Sequence, residues 1–184
     1  MKKMIRKPYL AIFIFLFGMF FFFSCKKNSV EPFDPEVDFK LRLLNLKGEE
    51  ATSFKEGEKF WLSFLIINKI DSTRFFYPDR LVDNKTLFRV ITSDSTKDFG
   101  QPYETIVCTG QKMSIQARQS LELKVPWHTD SVVRNSGFCL QSIKKDVLPK
   151  GFYKTVLQEF LVVSTLEGNR LTKKTNLSVT FEIK

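Results

Sequence analysis

The sequence predicts an all-β fold, an antiparallel sandwich of about eight or nine strands behind an N-terminal signal helix. Three observations lead there. Apolar and polar residues alternate over short segments along most of the chain, the period of a strand with one face in a core. Those segments are separated by Gly, Pro, Asn and Asp, which punctuate turns. Nowhere in the body does a 3.6-residue period last long enough for a packed helix.

The chain opens with Lys2, Lys3, Arg6 and Lys7, followed by an apolar run from Tyr9 to Phe23, and residues 1–24 contain no Asp or Glu. That layout is a secretory signal. The run is 15 residues long, short of the roughly 20 that a helical bilayer crossing takes, so export is expected rather than a permanent span. Ser24 and Cys25 close the run and Lys26 and Lys27 follow. Residues 1–24 are read as signal, 25–38 as a tether and 39–184 as one folded domain. The tether ends in "SVEPFDPEVD", with two prolines, four acids and little to pack.

In the body, Phe39, Leu41 and Leu43 alternate with Lys40, Arg42 and Leu44. After the Glu56-Gly57-Glu58 corner, Phe60, Leu62, Phe64 and Ile66 face one way and Trp61, Ser63, Leu65 and Ile67 the other. Both faces are largely apolar, as in a central strand covered on both sides or packed partly beneath a loop. "TRFFY" at 73–77 stops at Pro78, and "TLFRVIT" at 86–92 and "YETIVCT" at 103–109 are further strands. In "SLELKVPW", Leu121, Leu123 and Val125 share a face and Pro126 marks a strand end or an edge. "GFCLQSI" is a short strand or irregular; "DSVVRNSG" and "SIKKDVL" make at most a turn or two of helix. Residues 152–164 and 176–184 form the last pair, turned at Glu167-Gly168-Asn169.

The formal charge is +9. Removing the four signal cations leaves 25 Lys and Arg against 20 acids, or +5 over 160 residues. Lys144-Lys145 and Lys173-Lys174 are the internal basic pairs. Without an aromatic-interleaved basic stripe, nucleic acid is not an expected partner. Cys108 and Cys139 either pair in a disulfide, expected outside the cytoplasm, or stay as two buried thiols. With no CxxC and one histidine, no metal site or cofactor is expected.

The Ser24-Cys25 junction resembles a bacterial lipoprotein signal, of the aromatic-rich Bacteroidetes type. That resemblance implies that the Cys25 thiol receives a diacylglyceryl group, that the chain is cut before Cys25, and that acyl chains such as palmitate anchor it. Several such chains make a lasting anchor, at about 0.8 kcal/mol per buried methylene. The alternative is a cysteine that happens to follow a signal or an uncleaved anchor. Three strand entrances, "FKEGEKFWLSFLIIN", "SIQARQSLELKVPW" and "LPKGFYKTV", resemble the immunoglobulin-like sandwiches of bacterial surface and periplasmic lipoproteins. More distantly they are similar to the β-sandwich family of intracellular proteinase inhibitors. Gly57, Glu58, Asn68, Trp127, Leu148, Pro149, Gly151 and Tyr153 match, while Gln119 stands where the second entrance usually has glycine. The resemblance implies an immunoglobulin-like domain, with Trp127 as a core plug or an exposed platform and a Tyr153 hydroxyl bonded to upstream backbone.

Chemistry of catalysis is not apparent. His128 and Asp130 in "PWHTD" lack a nucleophile signature, and Asp71, Asp79, Asp83, Asp94 and Asp98 lack calcium-loop spacing. The candidate binding patch is "STRFFYPDR", with Arg74, Phe75, Phe76, Tyr77 and Arg80, a mixture suited to a sugar or peptide surface; the alternative is a core strand ending at Pro78. The polar loop at 93–102 is a second place for binding. The expected protein is a non-catalytic, lipid-anchored envelope module that binds an envelope protein or polysaccharide. It sits in the outer membrane facing the periplasm, with the cell surface as the other side. The alternative function is a proteinase inhibitor.

Overall fold

The computed structural model describes residues 36–78, 81, 85–106, 112–168 and 170–184. The signal, Cys25 and most of the tether lie outside the described residues. The described chain is all-β, with thirteen strands and one 3₁₀ turn at Ser136–Phe138.

The first sheet is three-stranded and antiparallel. Its middle strand is β3 (Trp61–Asn68), between β1 (Val37–Leu44) and β9 (Ser120–Pro126). β1 begins at Val37, so the boundary expected at residue 39 moves back. The reason is local: Val37 pairs with Asn68, and the Lys69 N–H donates to the Glu36 carbonyl at 2.6 Å. Phe39, Leu62, Phe64 and Leu123 point to the core. On the other face Trp61, Leu65 and Ile67 are half-buried. Ser63 lies among them with no exposure, because Arg42 and Glu122 close over it from the flanking strands. Glu122 accepts from the Ser63 hydroxyl at 2.5 Å and from Arg42 at 2.6 Å. The strand is central, and on its outer face this polar bridge covers Ser63 while Trp61, Leu65 and Ile67 stay partly exposed.

The second sheet has seven strands, built on a hairpin of β12 (Gly151–Ser164) and β13 (Arg170–Ile183), paired along their whole length. The turn carries Gly168 at φ 89°, a left-handed conformation that glycine adopts without steric cost. β2 (Ser53–Phe54) runs parallel to the end of β13. Two short strands share the free edge of β12. β5 (Arg89–Thr92) pairs with residues 153–156, and β4 (Arg74–Phe76) with Val163 and Ser164. Between them the Gln158 N–H is taken by the Thr86 hydroxyl. β6 (Asp98–Gly100) extends β5, and β8 (Met113–Ile115) extends β4. A third small sheet orders β10 (Arg134–Asn135), β11 (Leu140–Ser142) and β7 (Tyr103–Thr105).

One apolar cluster takes side chains from both larger sheets: Phe39, Phe64 and Leu123 from the first, Tyr153, Leu157 and Phe181 from the second. An aromatic run lies at one end of it. Phe60 stacks on Phe54 at 4.7 Å and on Trp127 at 6.5 Å, and Phe181 lies against Phe60 and Tyr153 at 5.5 and 5.4 Å. Trp127 is 1% exposed and its indole N–H donates to the Asp146 carbonyl, so it is core and not a platform. The Tyr153 hydroxyl donates to the Pro149 carbonyl at 2.6 Å.

Candidate functional site

Alternation along β4 divides the expected patch. Arg74 and Phe76 turn inward, 7% and 1% exposed, while Phe75 and Tyr77 are half-buried. Phe76 packs on Phe138 with ring centres 6.5 Å apart. A surface made of Phe75, Phe76 and Tyr77 together therefore does not exist; pairing to β12 and β8 fixes alternate side chains on opposite faces. Arg80 lies outside the described residues.

Of the two half-buried aromatics, Phe75 lines a cleft of about 320 Å³. Thr73 and Phe75 form one wall, Ser114 and Gln116 the next, and Leu166 and Glu167 from the β12–β13 turn the third. The Lys112 ammonium stands 3.6 Å from the centre of the Phe75 ring, within the range of a cation–π contact. Thr73 donates to the Gln116 side-chain oxygen at 3.3 Å. Leu166 is 75% exposed. The Glu167 carboxyl is held below the usual range, first by the Thr165 hydroxyl, with Arg74 adding a weaker pull.

Beneath the cleft, Arg74 donates to the Ser72 hydroxyl at 2.9 Å and to the Glu36 carboxylate. Its Nε is buried without a hydrogen-bond partner. Asn68, 1% exposed, stitches this end of the protein together by donating to the carbonyls of Ser72, Ile115 and Gln116. The site thus offers an aromatic ring, an ammonium, hydroxyl and amide groups, and one carboxylate at the rim. Those groups suit non-covalent recognition.

The other singled-out residues fall elsewhere. His128 is half-buried and its Nδ1–H donates to the Lys145 carbonyl at 2.8 Å. Asp130 pairs with Lys59 at 2.7 Å, and that contact lowers its pKa. Asp71 pairs with Arg118 and Asp98 with Arg89, while Asp94 accepts from Thr96; Asp79 and Asp83 lie outside the described residues. Among the described residues, no three His, Cys, Asp or Glu side chains are grouped to hold a metal ion. Cys139 is buried and disulfide-bonded. Its carbonyl accepts from the Ile106 N–H at 2.8 Å, and Cys108 lies outside the described residues. The polar loop at 93–102 contains β6 and a turn closed by the Thr92 hydroxyl and the Lys97 N–H.

Sequence reading finds Phe75 but not Lys112, Ser114, Gln116, Leu166 or Glu167. The sequence marks a turn at 167–169, but nothing in it brings that turn beside β4. That proximity follows from β4 pairing at residues 163 and 164, the far end of β12.

No family model matches the chain, and no curated protein matches it. Two solved chains do. One is the X-ray structure of Northeast Structural Genomics Consortium target SoR45, 9% identical, with a TM-score of 0.35 over 82% of this chain and 89% of that one.

Proposed function

We propose that the protein is a lipid-anchored module of the bacterial cell envelope, an immunoglobulin-like sandwich held at Cys25, which works by binding and not by catalysis. The anchor reading rests on the Ser24-Cys25 junction directly after an apolar run led by four cations. Supporting the sandwich are two sheets, antiparallel except where β2 joins β13, that contribute to one core, and the Tyr153–Pro149 hydrogen bond, the contact made by the tyrosine corner of such domains.

The observation that carries the binding function is the Phe75 cleft. It combines a half-exposed ring under an ammonium with uncharged hydrogen-bonding groups, and an envelope protein or polysaccharide is the expected class of partner. The test is retention of envelope fractions by the immobilised full chain. Phe75→Ala and Lys112→Ala are expected to abolish retention that wild type shows, and a partner held equally by all three proteins would refute the cleft as the site.

A further inference from the structure

We infer that the partner held at the Phe75 cleft is a polysaccharide carrying carboxylate groups, and that its chain runs on from the cleft along the outer face of β12 and β13, over Phe160 to Phe152. This rests on the Phe75 cleft being a binding site. Strand pairing joins the two surfaces. Phe75 stands opposite Ser164, and residues directly opposite in an antiparallel pair share a face. Alternation along β12 keeps Phe160 and Phe152 on that same face, with Gln158 and Lys154 between them, while Tyr153, Leu157 and Leu161 fill the core. Phe160 lies four positions from Ser164, about 13 Å along the strand, and Phe152 eight positions farther, about 26 Å. Both rings are open to solvent, Phe160 54% exposed and Phe152 66%.

The groups around the rings identify the partner's chemistry. Beside β12, the outward residues Asn176, Ser178 and Thr180 of β13 are exposed, and the Gln158 amide donates across the strands to Asn176 at 3.4 Å. Hydroxyl and amide groups in a row, with rings for the apolar faces of sugar units, match a polymer rich in hydroxyls. A folded protein partner needs instead a contiguous apolar patch that becomes dry at its centre, and here polar residues separate the two phenylalanines. Charge decides between neutral and acidic polymers. Glu182 on this face is matched by Lys184 at 3.5 Å, and Arg89 by Asp98. Lys154 and Lys174, opposite Thr180 and Phe160, therefore leave the face net positive. Lys154 donates to the Ser93 carbonyl and the Ser95 hydroxyl at 3.0 and 2.8 Å, neutral acceptors that leave its charge uncompensated. Glu167 at the cleft rim opposes an anion there, so the lysines of the sheet take the carboxylates.

The test is affinity electrophoresis of the full chain, in neutral detergent, through gels containing polygalacturonate, alginate or hyaluronate. Dextran serves as the neutral polymer and polyglutamate as the acidic polypeptide. At least one of the three carboxylated polysaccharides is expected to retard the protein, less so with added salt, and dextran and polyglutamate are not. Phe152→Ala and Phe160→Ala change exposed positions, and thermal unfolding checks that both fold. Each is expected to weaken retardation roughly fivefold, and Lys174→Ala to lower both the affinity and its salt dependence. Wild-type affinity in both phenylalanine variants, with Phe75→Ala losing retardation, overturns the extended track and leaves the cleft. Retardation that survives Phe75→Ala overturns the cleft and the inference together. Equal retardation by dextran or polyglutamate overturns the assigned partner, as does none by any of the three acidic polysaccharides; an envelope protein still retained through Phe75 would then leave the cleft in place.

Discussion

Glu36 and Arg74 form an ion pair that ties the residue before β1 to the inward face of β4. The Arg74 side chain is 8% exposed and that of Glu36 38%. Breaking a buried pair costs about 3–5 kcal/mol because one charge stays behind in a low-dielectric site. With Glu36 partly hydrated, Glu36→Ala is expected to cost roughly 1–3 kcal/mol. Arg74→Met fills the same volume without a charge and leaves the carboxylate accessible to water, so it is expected to cost within about 1 kcal/mol. Urea denaturation midpoints of the two variants check the order.

Phe75 and Phe76 are adjacent in sequence and opposite in role. Phe76→Ala removes a ring from the core and is expected to destabilise by about 3–5 kcal/mol. Phe75→Ala is expected to change stability by less than about 1 kcal/mol while removing binding. Thermal unfolding of both, beside the retention assay, separates the effects.

The Tyr153 hydroxyl predicts alkaline behaviour. Burial, with a smaller contribution from Glu56, raises its pKa above the usual phenol value. The folded state then keeps a proton that the unfolded state releases above about pH 10, so the tyrosine's contribution falls as pH rises through that value. Tyr153→Phe is expected to cost roughly 0.5–1.5 kcal/mol at neutral pH through the lost bond to Pro149. It should also reduce the alkaline loss. Denaturation midpoints at pH 7 and pH 11 measure both.

Glu122 predicts the opposite slope at acid pH. Burial pushes its carboxyl up, but hydrogen bonds from Ser63 and Arg42, with the charge of Lys124, outweigh that and hold it below its ordinary range. A depressed carboxyl stabilises above its unfolded pKa, about 4.3, and that contribution is lost as pH falls through the folded value. Glu122→Gln is therefore expected to weaken the protein at pH 7 and to flatten its decline toward pH 3, measured by urea titration at the two pH values.

The longest strands were legible because their alternation is uninterrupted. Phe39, Leu41 and Leu43, and then Leu62, Phe64 and Ile66, describe β1 and β3 to within a few residues. β13 starts at Arg170, six residues before the expected strand, because the polar run Thr172 to Asn176 hides a strand whose pairing to β12 is set by the hairpin. "TLFRVIT" shortens to β5 because Phe88 takes a left-handed φ of 56°, which interrupts a strand and which no sequence pattern announces. Arg118 is also left-handed, at φ 58°, in the turn between β8 and β9, next to the Gln119 that replaces an expected glycine. The sequence offers Arg74 as part of a surface patch, and an arginine is seldom buried, yet here it is 7% exposed. Its burial depends on Glu36, a residue assigned to the tether.

The anchor at Cys25 is tested most directly by intact mass and tandem mass spectrometry of the mature N-terminus, on protein extracted from the envelope. The expected result is a chain that begins at Cys25 and carries acyl groups on that residue. A chain that begins at another residue, or a Cys25 with no lipid, would contradict it.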